Sequence, residues 1–145
     1  MYELIMVPIL VGLLAQIIKL ITDGIPHNFS WRHIINDYGG MPSAHTAYVS
    51  ALAAVVGWRE GFDSAAFAVA LILTIVVIRD AMGFRREIGR NAVLTNQIAK
   101  EIFKNKKIEY LHERIGHTIP QVTVGLFFGV ILATAIYFVW QTILL

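Results

Sequence analysis

Hydrophobic residues fall into four long runs, which are separated by shorter polar stretches. The runs extend from about Leu4 to Ile21, from Ala44 to Trp58, from Ser64 to Ile78, and from Ile119 to the C-terminus. A helix needs about 20 residues, within a range of about 17–25, to cross a bilayer. The first and fourth runs meet that length, and the middle two meet it only with their polar ends. We therefore predict an all-α integral membrane bundle of about four transmembrane helices.

A charged segment between the third and fourth runs carries apolar residues at helical spacing. These residues alternate with clusters of charge and comprise Ile88, Val93, Ile98, Ile102 and Ile108. The pattern indicates one or two amphipathic helices at the membrane surface. No internal repeat or low-complexity tract interrupts the chain, so we predict a single membrane-embedded domain over residues 1–145.

Composition supports the membrane assignment and excludes some chemistry. Apolar residues make up 57% of the chain and charged residues 15%, against about 45–50% and about 25% in soluble domains. The chain has no cysteine, which excludes disulfides, thiolate metal sites and cysteine nucleophiles. His27, His33 and His112 lack metal-ligand spacing, so we predict neither a metal site nor a cofactor.

Basic residues are concentrated in one connection. Nine of the twelve Lys and Arg residues lie between Arg79 and Arg114. Basic loops face the cytoplasm, so we place this connection on the cytoplasmic side of a bacterial plasma membrane. With four spans, the loop before the second run falls on the same side. Cations and histidines from separate parts of the chain then meet at one membrane face: Lys19, His45, Arg85, Arg86 and His117.

The stretch "GGMPSAHT" (residues 39–46) has the composition of an anion-binding helix start. The glycine pair permits close backbone approach, Pro42 suits the first helical turn, and Ser43 suits the N-cap. The free N–H groups and positive dipole end of a helix attract anions, and His45 would lie in the first turn. An ordinary capped start of a membrane helix explains the same residues.

Two further stretches carry candidate chemistry. In "RDAMGFRRE" the guanidiniums of Arg85 and Arg86 could clamp phosphate oxygens, although such a flank also suits anionic lipid headgroups. In "GHTIPQV" His117 precedes the fourth run and Gln121 follows one helical turn later. An interfacial histidine explains His117 equally well. Lys19 could contact phosphate or simply extend to the interface.

In this order, "GGMPSAH", "DAMGFRR" and "GHTIPQV" resemble motifs of the type-2 phosphatidic acid phosphatase superfamily. The match is to its divergent bacterial and plant branch, with "GGMPSSH", "DAxGVRR" and "GHTPxEV", which is related to acid phosphatases and vanadium-dependent haloperoxidases. The resemblance extends roughly from Lys19 to Gly129. It implies metal-independent, vanadate-sensitive hydrolysis of a lipid phosphate monoester or diphosphate.

The resemblance also implies roles for individual residues. His117 would be the nucleophile that becomes a phosphohistidine, and His45 would be the general acid. Gln121 stands at the position that supports the nucleophile. The phosphate-binding group would comprise Lys19, Gly40, Ser43, Asp80, Arg85 and Arg86.

Two positions depart from the superfamily pattern. Leu111 stands where the superfamily has an arginine. We expect Arg85 or Arg86 to take the role of that arginine, with Arg114 as a weaker candidate. Gln121 replaces an acidic residue, and an amide accepts a hydrogen bond without stabilising an imidazolium by charge. In a serine-protease triad, loss of the carboxylate costs about 10⁴ in kcat. Either another acid substitutes, with Asp80 and Glu113 as the candidates, or activity is reduced or absent.

We therefore predict a membrane lipid-phosphate phosphatase, with a non-catalytic binder of anionic headgroups as the alternative. A transporter ranks last, because apart from Lys19 the runs contain no ionisable residue in their interior. The expected partners are the lipid phosphate substrate and membrane lipids, and not nucleic acid. The small residues of the second run would also permit the close packing of a homodimer.

Overall fold

The predicted helices are present with nearly the predicted bounds. The computed structural model describes residues 2–22, 40–104, 109–113 and 115–144. Within these ranges the chain forms five α-helices: α1 (Glu3–Thr22), α2 (Ala44–Glu60), α3 (Ala65–Met82), α4 (Phe84–Ile102) and α5 (Ile119–Leu144). The all-α class is confirmed. The predictions on Gly39, His27, His33, Ile108 and Arg114 concern residues outside the described ranges.

Three stretches among the described residues are long and apolar enough to cross a membrane: Glu3–Thr22, Ala65–Ile102 and Ile119–Ile143. The second stretch combines α3 and α4. The remaining helix of the bundle, α2, has 17 residues and buries ten of them, chiefly against α1, α3 and α5. Because α2 contacts protein on most sides, it does not need the apolar surface of a lipid-facing span. The chain is thus a membrane helical bundle built around α2.

Small residues let α2 and α5 approach closely. A Cβ on Gly125 of α5 would lie 2.6 Å from the carbonyl oxygen of Ser43, and a Cβ on Gly129 would overlap Ala47 and Ser50. Glycines four residues apart on one helix allow this backbone approach in membrane bundles. Ala47 is fully buried within the chain, so these small residues pack α2 against its own neighbours. The homodimer stays a prediction.

Helices α1, α2, α3 and α5 alternate in direction, and contacts at both ends of the bundle fix this arrangement. Thr22 Oγ1 at the end of α1 donates to Met41 O, just before α2, at 2.9 Å. At the opposite end Arg59 of α2 forms an ion pair with the buried Glu3 of α1. The N–H of His117 donates to Ala81 O near the end of α3 at 3.1 Å. The ends of α1 and α3 and the starts of α2 and α5 therefore lie together, at what we call the site end.

Polar contacts between helices add to the apolar packing. Thr74 Oγ1 of α3 is buried and lies 3.0 Å from Val49 O of α2. Hydrogen bonds of this kind contribute on average about 0.6 kcal/mol in membrane proteins. Around them, a core cluster of α1, α2 and α5 side chains is fully or almost fully buried and includes Val7, Val11, Ala51 and Val55.

Helix α4 is amphipathic, as the charge and apolar spacing predicts. Its buried face consists of Gly89, Ala92 and Asn96. Another side of α4 exposes large apolar residues: Phe84, Ile88, Leu94, Ile98 and Ile102. Val93 belongs to this helix as predicted, but at 100° per residue it points away from the exposed stripe and is half-buried.

Candidate active site

Ser43 caps the N-terminus of α2, which confirms the predicted cap. Its backbone is extended (φ −68°, ψ 109°), and its Oγ accepts from Thr46 N at 3.4 Å and Thr46 Oγ1 at 2.9 Å. The N–H of Ser43 donates to Gln121 O at 3.2 Å. Pro42 precedes the cap, so its predicted place in the first turn was wrong. The fully buried Ser43 thus joins the starts of α2 and α5.

A cavity of about 240 Å³ opens at the site end. Its lining includes four of the predicted site residues, and α3 contributes an apolar wall. The lining residues are His45, Val76, Val77, Asp80, Ala81, Arg85 and His117. His45 is exposed, whereas His117 is only 3% exposed. The cavity therefore connects an accessible imidazole with a buried one, beside a carboxylate and a guanidinium.

Arg85 is fixed on the cavity wall by Asp80. Arg85 Nε donates to Asp80 Oδ2 at 2.7 Å, and the two side chains are 37% and 42% exposed. At such exposure an ion pair contributes only about 0.2–1 kcal/mol to stability. Its effect is mainly geometric, because a charge-assisted hydrogen bond holds the guanidinium in one orientation.

The backbone around His117 is held by α3 and by the start of α4. Gly116 has φ +91°, and a Cβ there would lie 2.6 Å from Arg86 N and 2.8 Å from Arg86 Cα. Glycine is required on both counts, since other residues rarely adopt this φ and no side chain fits. With the His117 N–H bound to Ala81 O, the imidazole is directed into the cavity.

Gln121 has a structural contact that sequence reasoning missed. Its Oε1 accepts from the N–H of Thr118 at 2.8 Å, just before α5 begins. This is the glutamine half of a capping box, whose T-x-x-Q signature is visible in "TIPQ". Gln121 is not among the residues that line the cavity. The side chain one turn after His117 therefore caps the N-terminus of α5.

The two candidate replacement acids have different surroundings. Asp80 lines the cavity together with His117. Glu113 is not a lining residue, and its Oε1 accepts from Asn96 Nδ2 at 2.9 Å. Of the two carboxylates, Asp80 is the one that shares the cavity with His117.

The other predicted phosphate-binding residues lie at the site end but are not among the residues that line the cavity. Lys19 is buried in the last turn of α1, and Thr22 Oγ1 bonds both Lys19 O and Met41 O. Gly40 is buried in the turn before α2, and the exposed Arg86 packs its backbone against Gly116. Of the two adjacent arginines, the cavity wall contains Arg85. Among the described residues, no three His, Asp or Glu side chains are grouped to hold a metal ion.

Comparisons with known proteins identify the family of the chain. Residues 2–132 match the Divergent PAP2 family. The chain is also 33% identical over 132 residues to "Uncharacterized membrane protein YuiD" of Bacillus subtilis (strain 168), covering 81% of this chain and 83% of that protein. No solved structure matches the chain. The chain is thus a membrane protein that belongs to the Divergent PAP2 family.

Proposed function

We propose that the protein is a membrane phosphatase that hydrolyses a phosphate monoester or diphosphate of a lipid through a phosphohistidine. The observation that carries the proposal is the shared cavity of His45, Arg85 and His117 at one end of a membrane bundle. A nucleophile, a proton donor and a cation around one space are the groups that phosphoryl transfer needs.

The proposed reaction has two steps. An imidazole nitrogen of His117 attacks phosphorus, the bond to the lipid oxygen breaks, and His45 donates a proton to that leaving oxygen. Water then attacks the phosphohistidine, His45 accepts its proton, and inorganic phosphate leaves with His117 restored. Arg85 stabilises the charge on the non-bridging oxygens in both steps.

The remaining residues act around this centre. Lys19 and Arg86 add positive charge at the site end, and Gly40 and Ser43 shape the turn that presents the first N–H groups of α2. A carboxylate repels phosphate, so we assign Asp80 to orienting Arg85 and to supporting a charged His117, rather than to direct phosphate contact. The orienting role rests on its 2.7 Å hydrogen bond with Arg85 Nε, and the supporting role rests on the cavity that Asp80 shares with His117.

The apolar wall favours a lipid over a soluble phosphate ester. Val76 lines the cavity and is also 57% exposed on the surface of α3. The cavity therefore lies beside an exposed apolar surface of α3, which belongs to a stretch long and apolar enough to cross a membrane. A lipid could keep its chain along α3 while its phosphate enters between His45 and Arg85. We place this site at the cytoplasmic face of the plasma membrane on the basis of the basic connection.

The test is turnover of lipid phosphates by the purified protein in detergent with excess chelator. We expect release of phosphate from at least one of phosphatidic acid, phosphatidylglycerol phosphate or an isoprenyl diphosphate, inhibition by orthovanadate, and loss of turnover in His117→Ala. A folded protein that binds orthovanadate but releases no phosphate from any of them would instead support the non-catalytic headgroup binder.

A further inference from the structure

Asn96, a residue of α4 outside the cavity, binds the backbone that leads to His117. It is 4% exposed, and its side chain makes three hydrogen bonds. Oδ1 accepts from Leu111 N at 2.8 Å, while Nδ2 donates to Leu111 O at 2.8 Å and to Glu113 Oε1 at 2.9 Å. One amide thus satisfies both backbone groups of Leu111, as a neighbouring strand would.

Gly89 continues this contact toward the start of α4. A Cβ on Gly89 would lie 2.7 Å from Ile115 O and 3.0 Å from Glu113 O. Asn96 and Gly89 are seven residues apart, which is two helical turns, and lie on the same buried face. The described residues before His117 therefore run antiparallel to α4 and contact it at Asn96 and at Gly89.

The same path ends at the backbone of Arg85 and Arg86. Gly116 lies close to the backbone of Arg86. Arg86 precedes Asn96 by ten residues on α4, which corresponds to a rise of about 15 Å along the helix. Leu111 and Gly116 are five residues apart, and five residues span at most about 17–18 Å. Leu111 and Gly116 therefore have little freedom to move apart from one another, so a shift at Leu111 is passed on to His117.

We propose that Asn96 is a positioning residue for His117, acting through the backbone between Leu111 and Gly116. The role of His117 rests on the proposed function. Because Arg85 is on the same helix, α4 sets the separation between the attacking imidazole and the guanidinium that receives the phosphate. A misplacement of about 1 Å at a reacting group can cost about 10²-fold in rate.

The test compares Asn96→Ala with Asn91→Ala, a control on an exposed position of the same helix. Hydrogen exchange of the protein in detergent reports on the contact between Asn96 and the backbone of Leu111. The kcat and KM for the lipid phosphate report on the site. We expect Asn96→Ala to speed exchange in residues 109–117, to lower kcat about 10–100-fold and to leave KM within about threefold. Asn91→Ala should match the wild type in all three.

Unchanged exchange in Asn96→Ala would show that Asn96 does not hold the backbone of Leu111. Faster exchange with unchanged kcat would overturn the positioning role of Asn96. If the wild type turns over no lipid phosphate, the proposed function fails, and the affinity for orthovanadate replaces kcat. About tenfold weaker binding in Asn96→Ala then supports the positioning role, and equal binding overturns it. If Asn96→Ala does not fold, Asn96→Asp keeps the acceptor for Leu111 N–H but loses both donors, and the same outcomes apply.

Discussion

Asp80 and Arg85 are joined by a 2.7 Å hydrogen bond across the boundary between α3 and α4. Four residues, Ala81 to Phe84, separate Asp80 from Arg85, and the N–H of Gly83 donates to Arg79 O at 2.9 Å. The pair therefore fixes the side chains on either side of a helix break. Since both residues line the cavity with His117, the carboxylate is close to two groups that carry positive charge during the proposed reaction.

Removing that charge should slow the reaction without unfolding the protein. We expect Asp80→Asn to lower kcat at least tenfold, because an amide can still accept from Arg85 but supports neither cation electrostatically. Stability should change by no more than about 1 kcal/mol, since the pair is well exposed. Steady-state kinetics and thermal unfolding measure the two effects. Asp63→Asn, on the exposed turn before α3, is the control, and an unchanged kcat in Asp80→Asn would contradict the assignment.

Gln121→Glu should mainly affect the start of α5. A glutamate can accept from Thr118 N–H as the glutamine does, and its charge interacts favourably with a helix N-terminus, by about 0.3–1 kcal/mol. We expect slightly higher stability with kcat changed less than about threefold. Gln121→Ala should lose about 0.5–2 kcal/mol of stability, as other cap deletions do. An increase of kcat of tenfold or more in Gln121→Glu would instead mean that residue 121 supports His117 directly.

Gly116→Ala should be costly. Its φ of +91° is unfavourable for alanine, and the added methyl group would lie 2.6 Å from Arg86 N. Strain of this kind costs about 1–3 kcal/mol, and relief of it would move His117. We expect lower stability together with a loss of phosphatase activity. The comparison is Gly12→Ala, where the methyl group meets the side chain of Tyr48 at 2.9 Å. Tyr48 is partly exposed and can rotate away, so a similar loss there would argue against backbone strain as the cause.

The absence of cysteine allows a direct test of orientation. Lys104→Cys, after α4, and Asp63→Cys, between α2 and α3, introduce single thiols at exposed positions. We expect a membrane-impermeant maleimide to label residue 63 in intact cells and residue 104 only after lysis, because basic connections stay in the cytoplasm. The reverse pattern would place the cavity on the outer face.

Much of the fold could be predicted because the signals are local. The apolar runs gave the helices within a few residues, and the Ser43 cap followed from residue type. Helix parity predicted that His45, Arg85 and His117 would meet at one end, as the cavity they share shows. Parity depends only on the number of crossings, so it does not require knowledge of packing.

The remaining features depend on which faces meet, and a single sequence does not contain that information. The contact of Gly116 with Arg86 and that of Asn96 with Leu111 arise only once α4 and the segment before α5 are packed together. The role of Gln121 in the cap was available in "TIPQ" but was obscured by its spacing from His117. The central place of α2 explains why a short run of small residues belongs to the bundle.

The enclosure of α2 has a consequence for how the protein is made. A helix with this many alanine, serine and threonine residues gains little from lipid, so its stable place in the bilayer depends on the helices around it. One of those helices is α5, whose glycines pack against Ser43 and Ala47 and which follows α2 in the chain. His45 lies in the first turn of α2, and His117 lies two residues before the start of α5. The contacts that hold α2 against α5 are therefore also the contacts that bring the two histidines to the same cavity, so the candidate site is complete only when α5 has packed against α2.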